Sequence, residues 1–242
     1  MLKDFISGLS TLIYPPNCLI CHNHIPTHQP HDILCQECKC TIPINRQPFC
    51  LKCTRPLPSI LAHPHCPKCQ EFQTHFDFVW AACPYTPVLK NLIHQFKYHQ
   101  KTLLKYEFAD LMTSFINRYK LDITQFDMCI PIPLSKTKYR ERGYNQAELL
   151  ARLISQRFSL NLNKATLVRN KHTKSQTACK AKERWTNTQG TFKISNSNII
   201  KNKNIILIDD LLTTGATASE CALTLKRAGC QRVGIFTLAI TT

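Results

Sequence analysis

The run from Ile205 to Thr217, IILIDDLLTTGAT, restricts the fold of this chain more than any other segment. Ile205 to Ile208 is a continuous aliphatic stretch, the pattern of a strand in a parallel sheet covered on both faces. Such a strand delivers Asp209 and Asp210 to the carboxyl edge of the sheet, where open α/β folds bind ligands. Thr213-Thr214-Gly215-Ala216-Thr217 follows and leads into a helix over Ala218 to Ala228. Its inward residues are Cys221, Ala222, Leu225 and Ala228, with Gly229 as C-cap. A Gly- and Thr-rich turn at a helix N-terminus offers backbone N–H groups and hydroxyls to a phosphate, and the helix dipole adds attraction. Gly215 is where the backbone most needs freedom to approach such a ligand. The paired carboxylates suit ribose hydroxyls or the support of a bound Mg²⁺. An ordinary strand-to-helix turn has no need of this combination.

The flanking segments extend the same architecture. Val233 to Ile240 supplies the next strand, so strand, helix and strand form a crossover unit of a doubly wound sheet. Met128 to Leu134 (MCIPIPL) is a short apolar strand ended by prolines, and Gly143 to Phe158 reads as a helix through Ala147, Leu150, Ala151 and Ile154. Upstream, Phe76 to Tyr85 suggests a strand or hairpin. Two helices follow, one with Val88, Leu89, Leu92, Ile93 and Phe96 on its apolar face, the other with Phe108, Leu111, Met112 and Phe115. Asn196 to Asn204 is a polar loop. The expected fold is α/β, with a mainly parallel sheet and helices on both faces.

Cysteine usage separates a second module. Nine of the fourteen cysteines lie between Cys18 and Cys69, in a stretch too poor in periodic apolar residues to fold on a large core. Cys18-x2-Cys21 is followed after thirteen residues by Cys35-x2-Cys38; Cys50-x2-Cys53 is followed after twelve by Cys66-x2-Cys69. Each knuckle holds two thiolates of a tetrahedron, and two knuckles close a structural zinc site. The spacing favours sequential pairing over interleaved pairing, and His22, His24, His63 and His65 lie near enough to substitute for a thiolate. Cys40, Cys83, Cys129, Cys179, Cys221 and Cys230 have no metal spacing and read as small apolar or surface residues. The expected division is an N-terminal helix with a double zinc module over residues 1–74 and the α/β domain over 75–242. Met1 to Tyr14 carries apolar residues at helical spacing and no cleavage site, so a helix packing on its own protein is expected rather than a signal peptide. No apolar run approaches the ~18 residues of a membrane span.

The formal net charge of +16 favours polyanionic partners, nucleic acid or phosphorylated metabolites. Part of it lies in Lys136 to Gln146 (KTKYRERGYNQ), read as a loop after the first α/β strand. There Arg140, Arg142 and Asn145 are candidates for gripping pyrophosphate or a DNA backbone. Tyr144 suits base stacking and core anchoring equally well. A second basic run, Arg169 to Gln176 and on to Lys180, Lys182, Arg184 and Asn187, has the composition of a flexible loop over a phosphate site. Gln176 and Arg184 are its candidate contacts. His94, Lys97, Tyr98, His99 and Lys101 add further charge with an aromatic interleaved.

The motif Asp209-Asp210 to Thr217 resembles the phosphoribosyl-pyrophosphate signature of type I phosphoribosyltransferases. The resemblance implies that fold and a binding site made by Asp209, Asp210, Thr213, Thr214, Gly215, Ala216 and Thr217, with Mg²⁺ accompanying the ligand. Purine-salvage members carry an acidic residue where this chain has Thr213, which argues against purine chemistry. Taken in order, the cysteine knuckles, PYTPVLKNLIHQFKYHQ, IPIPLSKTKYRERGYNQAELLAR, the Ser175-Gln176 to Asn187 stretch and IILIDDLLTTGAT resemble the ComF family of competence proteins over nearly the whole chain. That implies a double zinc ribbon on a phosphoribosyltransferase-like domain and a cytoplasmic role in natural transformation. Single-stranded DNA is the implied partner, other competence proteins are candidates, and no part is integral to a membrane. The alternative is an active Mg²⁺-dependent phosphoribosyltransferase of unassigned acceptor. No residue stands out in the sequence as its general base.

Overall fold

The computed structural model describes residues 17–25, 31–58, 64–71, 73–170, 185 and 188–241. Its main sheet has five parallel strands: β1 (Phe78–Pro84), β2 (Met128–Pro131), β3 (Asn161–Leu162), β6 (Asn204–Leu212) and β7 (Arg232–Ile240), in the spatial order β1-β7-β6-β2-β3. Two further strands, β4 (Leu167–Arg169) and β5 (Phe192–Ile194), pair antiparallel beside it. The helices are α1 (Gln36–Cys40), α2 (Pro67–Glu71), α3 (Pro87–Tyr98), α4 (Leu104–Tyr119), α5 (Lys136–Arg142), α6 (Gln146–Phe158) and α7 (Ala216–Arg227). Among the described residues, no helix is long and apolar enough to cross a membrane.

Successive side chains of a strand point to opposite faces, so the aliphatic run of β6 feeds two cores. Ile206 and Ile208 pack with Phe108, Met112, Leu150 and Ile154 of α4 and α6. Ile205 and Leu207 pack with Ala218, Cys221, Ala222 and Leu225 of α7. Helices therefore cover both faces, as expected. Helix α3 starts on Thr86, whose side chain accepts from the Leu89 N–H, with Pro87 in the first turn. Helix α7 ends at Ala228, and Gly229 follows with φ of 93° as the Cys230 N–H closes onto the Leu225 carbonyl.

Between β1 and β7, Phe78 lies opposite Gly234. A Cβ at Gly234 would stand 2.5 Å from Phe78 Cζ, and that ring is held by Trp80 at 4.8 Å and by the Arg232 guanidinium at 5.0 Å. Gly234→Ala is expected to destabilise by about 1–3 kcal/mol through overpacking, read as a lowered denaturation midpoint. An unchanged midpoint would show that the ring moves freely.

The Cys-rich segment forms two ribbons of two knuckles each, and the first knuckles of the two ribbons share one design, 32 positions apart. Asn17 bridges His24, and Phe49 bridges Pro56. The Cys18 N–H donates to the Asn23 carbonyl as the Cys50 N–H does to the Arg55 carbonyl, and the residue after each knuckle is left-handed (His22 φ 62°, Thr54 φ 54°). The first ribbon packs on α4, and Lys39 of α1 forms ion pairs of 2.9 Å with both Asp32 of the ribbon and Glu107 of α4. The second covers the outer edge of β1. There the Val79 N–H donates to the Lys52 carbonyl at 2.7 Å and the Ala81 N–H to Thr54 Oγ1 at 2.8 Å. An otherwise open strand edge is thereby closed.

Two sequence readings need correction. Lys136 to Arg142 is not a loop but the helix α5, capped by the Ser135 side chain and ended by Gly143 at φ 78°. The next helix accordingly begins at Gln146 rather than Gly143. Lysine and arginine are good helix formers, but without apolar periodicity the run carries no helical signature.

Candidate functional site

The connection from β2 through α6 runs to β3, on one side of the sheet, and that from β6 through α7 runs to β7, on the other. The chain thus diverges between β2 and β6, which opens a crevice beyond their carboxyl ends. The crevice holds Asp209 and Asp210, the loop Thr213 to Thr217, and four cations from three other elements: Lys97 of α3, Lys138 and Arg142 of α5, and Arg169 of β4.

Gly215 is the N-cap of α7 with φ of 84°. A Cβ there would meet nothing nearer than the Phe76 ring at 3.7 Å, so it is the left-handed conformation and not lack of space that favours glycine. Among the described residues, the Thr214 and Gly215 N–H groups make no hydrogen bond. They are donors at the open end of a helix of twelve residues.

The charges are arranged unequally. Lys97 Nζ lies 2.7 Å from Asp210 Oδ2, with the two side chains 17% and 8% exposed. Burial pulls the Lys97 ammonium down, but attraction to Asp210 outweighs it and the group is held above its usual range. Burial, reinforced by the charge of Asp210, pushes the Asp209 carboxyl up to about 8. Lys138 is lowered by burial and by repulsion from Arg142, Arg169 and Lys97. A polyanion placed among these groups would relieve that repulsion.

Arg142 is buried. Its Nη1 donates to Gln146 Oε1 and its Nη2 to the Tyr98 hydroxyl, both at 3.0 Å, and its guanidinium lies 4.9 Å from the Tyr98 ring centroid. Its Nε is buried without a partner. Arg140 is exposed and is not among the crevice residues. Asn145 caps α6, its Oδ1 accepting from the Ala147 N–H and its Nδ2 donating to the Ile132 carbonyl. Tyr144 is a core anchor here, its hydroxyl donating to the Phe96 carbonyl. Gln176, Arg184 and Cys179 lie outside the described residues. Sequence reading did not single out Lys97, Lys138 or Arg169 as site residues. A helix over Lys136–Arg142 would have grouped Lys138 with Arg142, four apart on one face, and set Arg140 aside.

The eight knuckle cysteines form two clusters, Cys18-Cys21-Cys35-Cys38 and Cys50-Cys53-Cys66-Cys69, in the sequential pairing expected. Within each, the sulfurs lie within 4.8 Å of one another, with Cys21 to Cys35 at 3.8 Å and Cys53 to Cys66 at 3.5 Å. Four sulfurs at Zn–S distances of about 2.3 Å stand roughly 3.8 Å apart, so both sites are compatible with structural zinc. No described histidine joins either cluster. Outer contacts orient the sulfurs: the Cys66 N–H donates to Cys50 Sγ at 3.3 Å and Arg55 Nη1 to Cys53 Sγ at 3.3 Å. The other described cysteines hold no metal position; Cys83, Cys129, Cys221 and Cys230 are buried and Cys40 is exposed.

Fold and sites together define a phosphoribosyltransferase-type domain carrying a pair of zinc ribbons. The family model "Phosphoribosyl transferase domain" matches residues 145–240, and "Double zinc ribbon domain" matches residues 9–70. Competence protein F of Haemophilus influenzae is 28% identical, over 92% of this chain and 96% of its own length. DNA utilization protein YhgH of Escherichia coli K12 is 24% identical, over 86% and 97% respectively. Competence protein ComFC of Bacillus subtilis is 29% identical, over 87% and 85%. The chain is thus a homologue of these competence and DNA utilization proteins along most of its length, with a double zinc ribbon ahead of a phosphoribosyltransferase domain.

Proposed function

We propose that this protein acts in natural transformation, handling incoming single-stranded DNA in the cytoplasm on a phosphoribosyltransferase scaffold that keeps a phosphoribosyl-pyrophosphate site. The observation that carries the ligand half of this reading is the crevice itself. Lys97, Lys138, Arg142 and Arg169 face a helix N-terminus and a carboxylate pair at the point where the sheet diverges. Thr214 and Gly215 offer N–H groups to the 5′-phosphate, Asp209 and Asp210 accept from ribose hydroxyls, and the cations receive the pyrophosphate with its Mg²⁺. Arg140, Asn145, Gln176 and Arg184 are not needed for this assignment.

The DNA half rests on charge, on a groove and on kinship. Lys97 is shared with a shallow groove on α3 that also presents Lys90, His94 and Tyr98. Tyr98 is 47% exposed and its ring stands 4.9 Å from that of His94. Aromatic faces beside lysines suit stacked bases and a phosphate backbone. The relatives' names, competence protein and DNA utilization protein, point the same way.

Calorimetric titration of the zinc-loaded protein with Mg²⁺-phosphoribosyl pyrophosphate, and separately with a single-stranded oligonucleotide, tests both halves. Binding of both is expected, with the oligonucleotide falling away steeply as salt rises. Absence of either at low salt removes the corresponding half. An active Mg²⁺-dependent transferase with an unassigned acceptor is favoured by one observation: both carboxylates stand in the crevice. Steady release of pyrophosphate on addition of an acceptor would establish it.

The raised Asp209 carboxyl sets the pH dependence. An ionised Asp209 is the form that accepts from ribose hydroxyls, so below about 8 binding must displace its proton. Affinity should therefore rise by up to about tenfold per pH unit between pH 6 and 8 and level off above. Stability should move oppositely. The folded state keeps a proton that the unfolded chain loses near 3.8, so this group's contribution falls as pH rises from there towards 8. An Asp209→Asn variant whose affinity keeps the same slope would refute the assignment.

A further inference from the structure

Arg55 follows the first knuckle of the second ribbon, is only 6% exposed, and is not among the residues of the crevice. Its Nη1 donates to Cys53 Sγ at 3.3 Å, its Nη2 to the Thr213 carbonyl at 2.6 Å and its Nε to the Thr241 carbonyl at 2.9 Å. One guanidinium thus joins a metal-ligand sulfur to the first residue of the phosphate loop, 158 positions further along the chain. The Thr213 carbonyl also accepts from Thr241 Oγ1 at 3.3 Å. In a trans peptide the carbonyl and the next N–H point in opposite directions. Holding the Thr213 carbonyl towards Arg55 therefore turns the Thr214 N–H away from the zinc knuckle, and Thr214 lines the crevice.

We infer that Arg55 is a positioning residue that couples the second tetrathiolate centre to anion binding at the Thr213 to Thr217 loop. The inference rests on the proposed reading of that loop. A thiolate held in a tetrathiolate metal centre is an acceptor fixed in place for a guanidinium; once the metal is gone, nothing holds the four sulfurs in that arrangement. Loss of that partner leaves a buried donor unsatisfied. The guanidinium then leaves its three-way position, and the Thr213 peptide loses its fixed direction. The loop is competent when the second ribbon is loaded and slack when it is not.

The first ribbon supplies an internal control. By the repeat of the knuckles, its counterpart of Arg55 is Asn23, which is exposed. Among the described residues, only the second centre is joined to the loop in this way. Coupling is reciprocal, so a ligand at the loop must be felt at Cys53.

The test uses the full chain loaded with ¹¹³Cd²⁺, a soft ion that takes thiolate sites. Two tetrathiolate resonances are expected. Mg²⁺-phosphoribosyl pyrophosphate should shift one and leave the other in place. Arg55→Met should displace that same resonance without ligand, abolish the ligand-induced shift and weaken binding by calorimetry about tenfold. Arg55→Lys should recover little, because an ammonium cannot span the three acceptors, and Asn23→Ala should change neither reading. Binding to the wild type with neither or both resonances moving overturns the coupling. So does an Arg55→Met protein that binds and shifts as the wild type does. If Arg55→Met does not fold, the wild-type shift decides alone. No calorimetric binding to the wild type is a different failure, that of the loop reading, and the coupling falls with it.

Discussion

Replacing Cys53 by alanine should cost the protein one of two equivalents of zinc and much of its stability. The second ribbon has little core of its own: Cys50, Cys53 and Cys66 are themselves the buried residues that join it to the sheet. Structural zinc contributes about 10–16 kcal/mol of apparent folding free energy in isolated finger peptides. Even a fraction of that rivals the ~5–15 kcal/mol total stability of an ordinary domain. The loss should spread along a defined path. Released from Lys52 and Thr54, the Val79 and Ala81 amides of β1 should exchange with solvent far faster, while amides of β2 change little. Metal analysis, thermal unfolding and amide exchange together check this. A variant that holds two zinc equivalents and melts with the wild type would mean that the ribbon does not rest on this centre.

Lys97→Met should be the most costly single change in the crevice. It leaves Asp210 buried without its cation, a situation that costs about 3–5 kcal/mol when a buried pair is broken. The crevice admits water, so the lower end of that range is expected. Asp210→Asn in the same chain should recover most of the loss, because the neutral amide removes the unpaired charge. Urea unfolding of the two single variants and the double variant measures the coupling. Values that simply add would show that the 2.7 Å contact carries no net energy. The double variant should nonetheless bind Mg²⁺-phosphoribosyl pyrophosphate poorly, since it lacks both a charged ribose acceptor and a phosphate cation. Stability and affinity would then separate cleanly.

The Lys97 pair and the Arg55 bridge share a feature that bears on what can be read from a chain. Each joins positions more than a hundred residues apart, and neither belongs to a local motif. Local periodicity and spacing were enough for the strands β6 and β7, the apolar faces of α3, α4 and α7, and the sequential pairing of the cysteines. In each case the signal lies within one element or one loop. The same reasoning misplaced α5, because a short helix whose surface is basic leaves no apolar period, and so it retained Arg140 beside Arg142. Strands β3, β4 and β5 span two or three residues and fall below any periodic window.

The sequence alone therefore determined which groups gather at the end of β6. An aliphatic strand, two carboxylates and a Gly-Thr turn are legible there because each residue type answers a local demand of burial, charge or backbone freedom. It also determined that two four-cysteine clusters compatible with zinc, rather than a large core, mark the N-terminal stretch. Only the tertiary structure decided which cations face the loop, that one carboxylate of the pair is ion-paired with Lys97 while the other is driven upward by burial, and that Cys53 of the second cluster and the Thr213 carbonyl share one arginine. Those are properties of where distant elements meet. Chain order carries no record of such meetings, because the sheet's crossover and the docking of the ribbon on β1 set them.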